Sequence, residues 1–300
     1  MNGCRLLLPN GSLQDVVLKL LADAGIPIFL SPGRSYRALI GNSRLFPEPY
    51  NWATLLRPWD SPWIIADQRL DLAFTGDDCI AESGRKDELV ILRHYPLSRG
   101  GVGKTKLVLA VPKGSPIHSV RDLGSDHELV TEYPHFASDW TAKNGVIPRI
   151  RACHGSTEGY IEIADAILEN SETGRSLAEN GWVILEESIL ESQTCLITHP
   201  KAWQNGRSHE VIEEIILLLD AVISGRTRRL VKCNVTKGRL AAILAFMPAA
   251  DKPTVNELAG DGGFSVESII EQDKLDSLLV QLNQAGATAI FDLDVGKFIP

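Results

Sequence analysis

Long apolar runs are absent from this 300-residue sequence. The longest candidate, VIEEIILLLDAVI, carries acids and reads as a packed helix rather than a membrane span. The amino terminus, MNGCRLLLPNGSLQDVV, has one early arginine and a very short apolar run, which fits neither a secretory signal nor an anchor. Cysteine is sparse. The five cysteines, at 4, 79, 153, 195 and 233, are odd in number and include no CxxC pair. That argues against a disulfide framework and a cysteine-based metal site, and for reduced thiols in a cytoplasmic protein. The seven histidines show no HExxH or comparable metal spacing. Basic residues are outnumbered, 30 against 38 acids, for a net charge of -8. A protein that coats nucleic acid needs a broad basic surface, so that partner is excluded. A small anionic ligand is not, because a local pocket can be positive on an acidic chain.

What is present is an alternation of strand and helix signals. CRLLLP is a short apolar run ending in Pro9 and Gly11. LQDVVLKLLADAG has apolar positions at helical spacing, and Gly25 stops it. IPIFL, ALIG and ATLLRP follow, then a short helix in PWIIADQR and a buried strand in LDLAFTG. From about residue 100 a second unit begins with the strand KLVLAVP. It continues through ELVTEYP, the helix HFASDWTAKNG, the strand IPRIRAC, and the segments ADAILE, WVILEES and QTCLITHP. SHEVIEEIILLLDAVISG is the longest helix, with Gly225 at its end. Alternation of this kind predicts α/β units with ligand loops at the carboxyl ends of strands. The tail from about 226 reads β-α-β-β-α-β, the ferredoxin-like order of a small regulatory module.

The segment ADAILENSETGRSLAENG, residues 164–181, carries the most chemistry. A strand over 164–169 runs into a polar turn containing Thr173 and Gly174, and a short helix starts near Ser176. Such a turn aims backbone N–H groups and a hydroxyl at one point, at the positive end of a helix, which suits a phosphate. Asp165 and Glu169 on the feeding strand are placed to accept hydrogen bonds from ribose hydroxyls. An ordinary helix cap uses the same Ser, Thr and Gly, and the residues alone leave both readings open.

This segment resembles the phosphoribosyl-diphosphate loop of ATP phosphoribosyltransferases: ADAI, an acid, three residues, then [ST]-G-x-[ST]-L. In the same order, LPNGSL at 8–13 resembles that family's first strand-to-helix loop, RPWD at 57–60 its R-P-x-D, and LDLAFTGDDCIAE at 70–82 its D-x-G-I-T-G-x-D. TEYP at 131–134 and GSTE at 155–158 resemble two further turns. MPAADKPTV at 247–255 and AGATAI at 285–290 resemble the regulatory tail of the long, histidine-regulated form.

The resemblance implies an α/β fold. A two-lobed catalytic core like the type II periplasmic-binding proteins would precede an ACT-like βαββαβ regulatory domain. The expected boundaries are 1–99 with 181–225 for the first lobe, 100–180 for the second and 226–300 for the tail, with the chain crossing between lobes near 100 and 180. It further implies transfer of phosphoribosyl from 5-phosphoribosyl 1-diphosphate to N1 of ATP with release of pyrophosphate, Mg²⁺ on the diphosphate, feedback by histidine, and a dimeric or hexameric homo-oligomer. No protein nucleophile or general base is assigned, since this chemistry rests on positioning and charge stabilisation. By the same resemblance, Asp165 and Glu169 face the ribose, Thr173, Gly174, Arg175 and Ser176 cradle the 5′-phosphate, and Asn10, Gly11 and Ser12 lie near the diphosphate. Arg57, Asp71, Thr75, Gly76, Tyr133 and Glu158 are expected on the nucleotide side, and Thr254 and Ala287 at the effector. The metal ligands stay unassigned. A non-catalytic anion-binding protein, or a weak paralogue acting as a regulatory subunit, is the alternative reading.

Three departures from the family pattern matter. The first loop lacks the lysine often found between the asparagine and glycine, so Arg5 or Lys104 would have to supply that charge. The loop acid is Glu169 where Asp is usual. Lys232 to Asn234 stand where an acidic effector contact is common. RGGVGKT at 99–105 imitates a phosphate-binding P-loop, but a strand follows it where a helix is required, so it reads as a hinge.

Overall fold

A computed structural model of the chain describes residues 3–33, 35–97, 104–248, 250, 252–260 and 262–300, with Glu186 and Glu187 described by backbone alone. Most of the RGGVGKT segment lies outside the described residues. The first part of the chain runs β1 (Leu6–Pro9), α1 (Gln14–Asp23), β2 (Ile28–Leu30), β3 (Arg37–Ile40), β4 (Trp52–Leu56), α2 (Ser61–Ala66), β5 (Leu72–Gly76), α3 (Asp77–Ser83) and β6 (Val90–Tyr95). Then come β7 (Thr105–Pro112), β8 (Glu128–Thr131), α4 (Pro134–Lys143), β9 (Arg149–Ala152), β10 (Ala166–Ser171), α5 (Arg175–Glu179) and β11 (Trp182–Ser192). The chain returns through β12 (Thr194–Thr198), α6 (Pro200–Gln204) and α7 (Gly206–Arg226). The tail is β13 (Arg228–Thr236), α8 (Lys237–Leu244), β14 (Thr254–Glu257), β15 (Gly263–Glu271), α9 (Leu275–Gln284) and β16 (Thr288–Asp294).

Three sheets result. A seven-stranded sheet has the order β2-β3-β4-β1-β5-β12-β6, and a five-stranded sheet the order β11-β7-β10-β8-β9. In the first, β1 pairs parallel with β4 and β5, and β12 closes antiparallel on β5 and β6. The tail is a four-stranded antiparallel sheet, β14-β15-β13-β16, in the expected βαββαβ order. By compactness both large sheets fall in one unit, residues 1–19 with 26–213, and a second unit takes 20–25 with 214–300. Among the described residues no helix is long and apolar enough to cross a membrane.

Helical spacing explains α1: Val17, Leu20, Leu21 and Ala24 are buried, and Gly25 ends the run at φ +87°. Strand β5 is buried along its whole length, as a central strand covered on both faces must be. Three sequence expectations change. The return between lobes is at Gln193 rather than near 180, because β11 pairs with β7 in the second sheet and β12 with β5 in the first. No glycine or proline marks that passage. Helix α3 and strand β6 were not anticipated. Gly225 lies inside α7, which ends at Arg226. A Cβ there would stand 2.5 Å from the carbonyl oxygen of Val295, so the glycine permits a close backbone approach instead of stopping the helix.

Candidate active site

The carboxyl ends of strands from both large sheets meet at one cleft of about 500 Å³. From the first lobe, β1 ends into Asn10, β4 into Arg57 and β5 into Gly76 and Asp78. From the second, β8 delivers Glu132 and Tyr133, and β10 delivers Glu169 and Asn170. Ser12, Trp59, Lys104, Glu172 and Ser192 complete the polar and aromatic wall. The backbone N–H of Asn10 donates to Leu56 at 2.8 Å, which fixes the first loop beside the Arg57 turn. Gly11, at φ +83°, leaves room for the guanidinium: a Cβ there would sit 3.0 Å from an Arg57 Nη. The Thr75 hydroxyl donates to the carbonyl of Pro58 at 2.8 Å and holds this turn against β5. Arg57 has no ion-pair partner among the described residues.

Asp78 is the hub of the cleft. It is buried, and one carboxylate oxygen accepts the Ser192 hydroxyl at 2.7 Å. The other accepts the Tyr133 phenol at 2.8 Å and the Asn170 amide at 3.1 Å. One carboxylate of the first lobe therefore ties to three points of the second: the end of β8, β10 and the last residue of β11. Burial, and then the neighbouring Asp78 carboxylate, push the Tyr133 phenol well above its usual range, so it stays a donor. Trp59 of the first lobe packs against Tyr133 of the second, with ring centroids 4.9 Å apart.

Glu169 is the unusual acid. Burial lifts its carboxyl to about 7, Glu158 and Glu132 add repulsion, and hydrogen bonds from Thr157 and the Asn170 N–H oppose the rise. Asp78, Glu132, Glu169 and Glu172 line the cleft against the cations Arg57 and Lys104. The side-chain oxygens of Asn10 and Asn170 are buried without a hydrogen-bond partner.

A family model described as ATP phosphoribosyltransferase matches residues 57–221, and one described as its C-terminal domain matches residues 226–297. The ATP phosphoribosyltransferase of Chlorobaculum parvum is 35% identical over 299 residues, covering 99% of this chain and 98% of its own. That of Thermodesulfovibrio yellowstonii is 32% identical over 297 residues, with 99% and 98% covered. The chain belongs to the ATP phosphoribosyltransferase family. It is thus a glycosyl-transferring enzyme of histidine biosynthesis, and a non-catalytic binder is not favoured. A solved structure, the ATP phosphoribosyl transferase (HisG:HisZ) complex from Thermotoga maritima, shares the fold. Its TM-score is 0.58 at 22% identity, covering 72% of this chain and 98% of that one.

Of the residues that family resemblance singled out, Asn10, Ser12, Arg57, Gly76, Tyr133 and Glu169 line the cleft, and Gly11 lies under Arg57. Thr75 acts from behind, through Pro58. Thr173, Gly174, Arg175, Ser176 and Glu158 form a separate group beside it. There Ser171 Oγ accepts the Gly174 N–H at 2.8 Å, and the Ser176 hydroxyl donates to Glu158 at 2.8 Å.

Two acids lie elsewhere. Asp71 stands at the opposite end of β5, where the Arg5 guanidinium and backbone N–H donate to it at 2.8–2.9 Å. Burial would raise its carboxyl, but the Arg5 hydrogen bonds outweigh this and lower it. Asp165 precedes β10 and accepts the Glu128 N–H at 2.7 Å, again at the far end of its strand. Neither is placed to meet a nucleotide or ribose in the cleft. Because Arg5 is held by Asp71, Lys104 is the lysine that reaches the cleft; it also pairs with Glu191 at 3.2 Å.

Sequence reasoning missed Asp78, Asn170, Ser192 and Trp59. The signal for Asp78 was available: it stands two residues after the glycine at the carboxyl end of a buried strand. In the tail, Thr254 lines a cavity of about 720 Å³ with Lys252, Glu267 and Lys274, whereas Ala287 is buried in the tail core. Thr254 lies on β14 and Ala287 just before β16, at opposite edges of the sheet, so the fold does not bring them together. Lys232 pairs with Glu267.

Proposed function

We propose that this cleft joins N1 of ATP to C1 of 5-phosphoribosyl 1-diphosphate and releases pyrophosphate. The observation that carries the reading is the convergence of Asn10, Arg57 and Tyr133, each just beyond a strand end, with Glu169 in the last half of β10, on one cavity. The bond to pyrophosphate breaks ahead of full bonding to N1, the leaving group takes the bonding pair, and cationic character develops at the sugar. An ionised Glu169 facing the ribose stabilises that charge. Arg57, resting over Gly11, and Lys104 supply the positive charge that the lysine-free first loop lacks. Trp59 offers an apolar face to the adenine. Thr173, Gly174, Arg175 and Ser176 take the 5′-phosphate, with Ser176 exchanging Glu158 for a phosphate oxygen.

The oxygens of Asn10, Asn170 and Glu132 suit Mg²⁺, a hard cation that prefers such donors. When bound, Mg²⁺ neutralises charge on the diphosphate. The tail cavity at Thr254 is our candidate for histidine, with Lys252 on its wall to meet an amino-acid carboxylate. A homo-oligomer, dimer or hexamer, in the cytoplasm completes the reading. All five cysteines are buried and free, as suits a reducing compartment.

The test is pyrophosphate release. Release should require both substrates and Mg²⁺, and binding of both without release would contradict the reading. Thr173→Ala combined with Ser176→Ala should weaken phosphoribosyl diphosphate binding in calorimetry about tenfold more than ATP binding, as loss of charge-assisted hydrogen bonds implies. Equal loss for both ligands would remove the loop from the assignment.

A further inference from the structure

A second cluster of donors lies outside the cleft, at the outer side of β5, β6 and β12. Cys195 on β12 is paired directly with His94 on β6, so their side chains share one face of the sheet. Asp77, the first residue of α3, reaches the same point from the end of β5. Asp77 Oδ1 is 3.0 Å from His94 Nε2 and 3.1 Å from Cys195 Sγ, and all three donor atoms lie within 4.8 Å of one another. A tetrahedral site with zinc-like bond lengths needs its donors roughly 3.3–3.8 Å apart, so small side-chain shifts satisfy it. The other Asp77 oxygen accepts the Gln193 N–H at 3.0 Å, which fixes the carboxylate's orientation as a supporting partner would. A cavity of about 300 Å³ opens on Asp77 and His94, bounded by Ile80, Lys86, Ile91 and Glu191. It supplies an entry path and a fourth position for water. Cys195 closes the site from behind, fully buried.

From this juxtaposition we infer that Asp77, His94 and Cys195 form a binding site for a thiophilic divalent cation of the zinc class. The set mixes sulfur, imidazole nitrogen and one carboxylate oxygen, which favours zinc or cobalt over magnesium or calcium. On binding, the Cys195 thiol gives its proton to solvent, and the thiolate and carboxylate together balance the dication. Spacing rules miss the site because its three ligands lie at 77, 94 and 195. The cation would clamp the first turn of α3 to β6 and β12, one residue from the Asp78 hub. It is separate from Mg²⁺ in the cleft.

Titration of the reduced full-length protein with Co²⁺ tests this. One equivalent should produce a thiolate-to-cobalt charge-transfer band with the visible bands of tetrahedral cobalt, unchanged by excess Mg²⁺ and abolished by Zn²⁺. Cys195→Ser should remove the charge-transfer band, while Cys4→Ser and Cys153→Ser keep it. His94 is exposed, so His94→Asn serves where Cys195→Ser fails to fold; it should weaken cobalt binding at least about tenfold. No charge-transfer band in the wild-type protein, a band that survives Cys195→Ser, or unchanged affinity in His94→Asn would overturn the inference and leave a hydrogen-bond network only.

Discussion

Tyr133 donates its phenolic hydrogen to Asp78 across 2.8 Å, from the end of β8 in one sheet to the start of α3 beside the other. The same carboxylate holds Asn170 and Ser192. Asp78 thus sets the spacing of the two walls of the cleft.

Tyr133→Phe keeps the ring packed on Trp59 and deletes that one donor. A buried carboxylate that loses one of three partners costs about 1–2 kcal/mol. Urea unfolding should show that loss. The kcat/KM should fall roughly tenfold, since reacting groups held less firmly approach less often in register. An unchanged kcat/KM with the stability loss would make Asp78 a packing feature alone.

Glu169 predicts a pH dependence of opposite sign to the usual acid. Its carboxyl sits at about 7 in the folded chain, against an ordinary 4.5. Between those values the folded state holds a proton that the unfolded state lacks. That stability is fully present below pH 4.5 and is lost as pH rises through 7. The loss is at most about 3 kcal/mol. Urea midpoints measured from pH 4.5 to 8 should fall for the wild type by that contribution and lack it in Glu169→Gln. Turnover should run the other way, rising through pH 7 as the carboxylate forms, and Glu169→Gln should flatten that limb.

How much of this was legible in the sequence depends on distance along the chain. The βαββαβ tail and most strands of both lobes could be read, because alternation and helical spacing are local. Asn10, Arg57 and Tyr133, singled out by family resemblance, line the cleft because each lies just beyond the carboxyl end of a strand. Asp71 and Asp165 misled for a related reason: each stands at the start of its strand, the end away from the cleft, where Arg5 and the Glu128 N–H occupy them. Asp78, Ser192 and the Cys195 cluster depend on pairings across more than a hundred residues, which no local pattern carries.

Asp71→Asn should therefore act on stability and leave nucleotide affinity alone. Arg5 is partly exposed, so weakening this pair should cost only about 1–2 kcal/mol. Thermal melting should register it, while the KM for ATP stays within twofold of wild type, about 0.4 kcal/mol. A large rise in that KM would return Asp71 to the nucleotide.

Gly225→Ala should destabilise the second unit. The added methyl meets the Val295 carbonyl at 2.5 Å and the Gly296 backbone at 3.0 Å, neither of which is a flexible side chain. Overpacking of this kind costs roughly 1–3 kcal/mol. Hydrogen exchange should show it first in the backbone around 295–298, and unchanged protection there would contradict the close approach.

Product identity is the most direct measurement. Incubation of the protein with ATP, 5-phosphoribosyl 1-diphosphate and Mg²⁺ should give, by mass spectrometry, one new species equal to ATP plus a phosphoribosyl group, with pyrophosphate in equal amount. Fragmentation should place the new sugar on the adenine ring. Pyrophosphate without the adduct, or an adduct on a ribose hydroxyl or phosphate, would contradict transfer to N1.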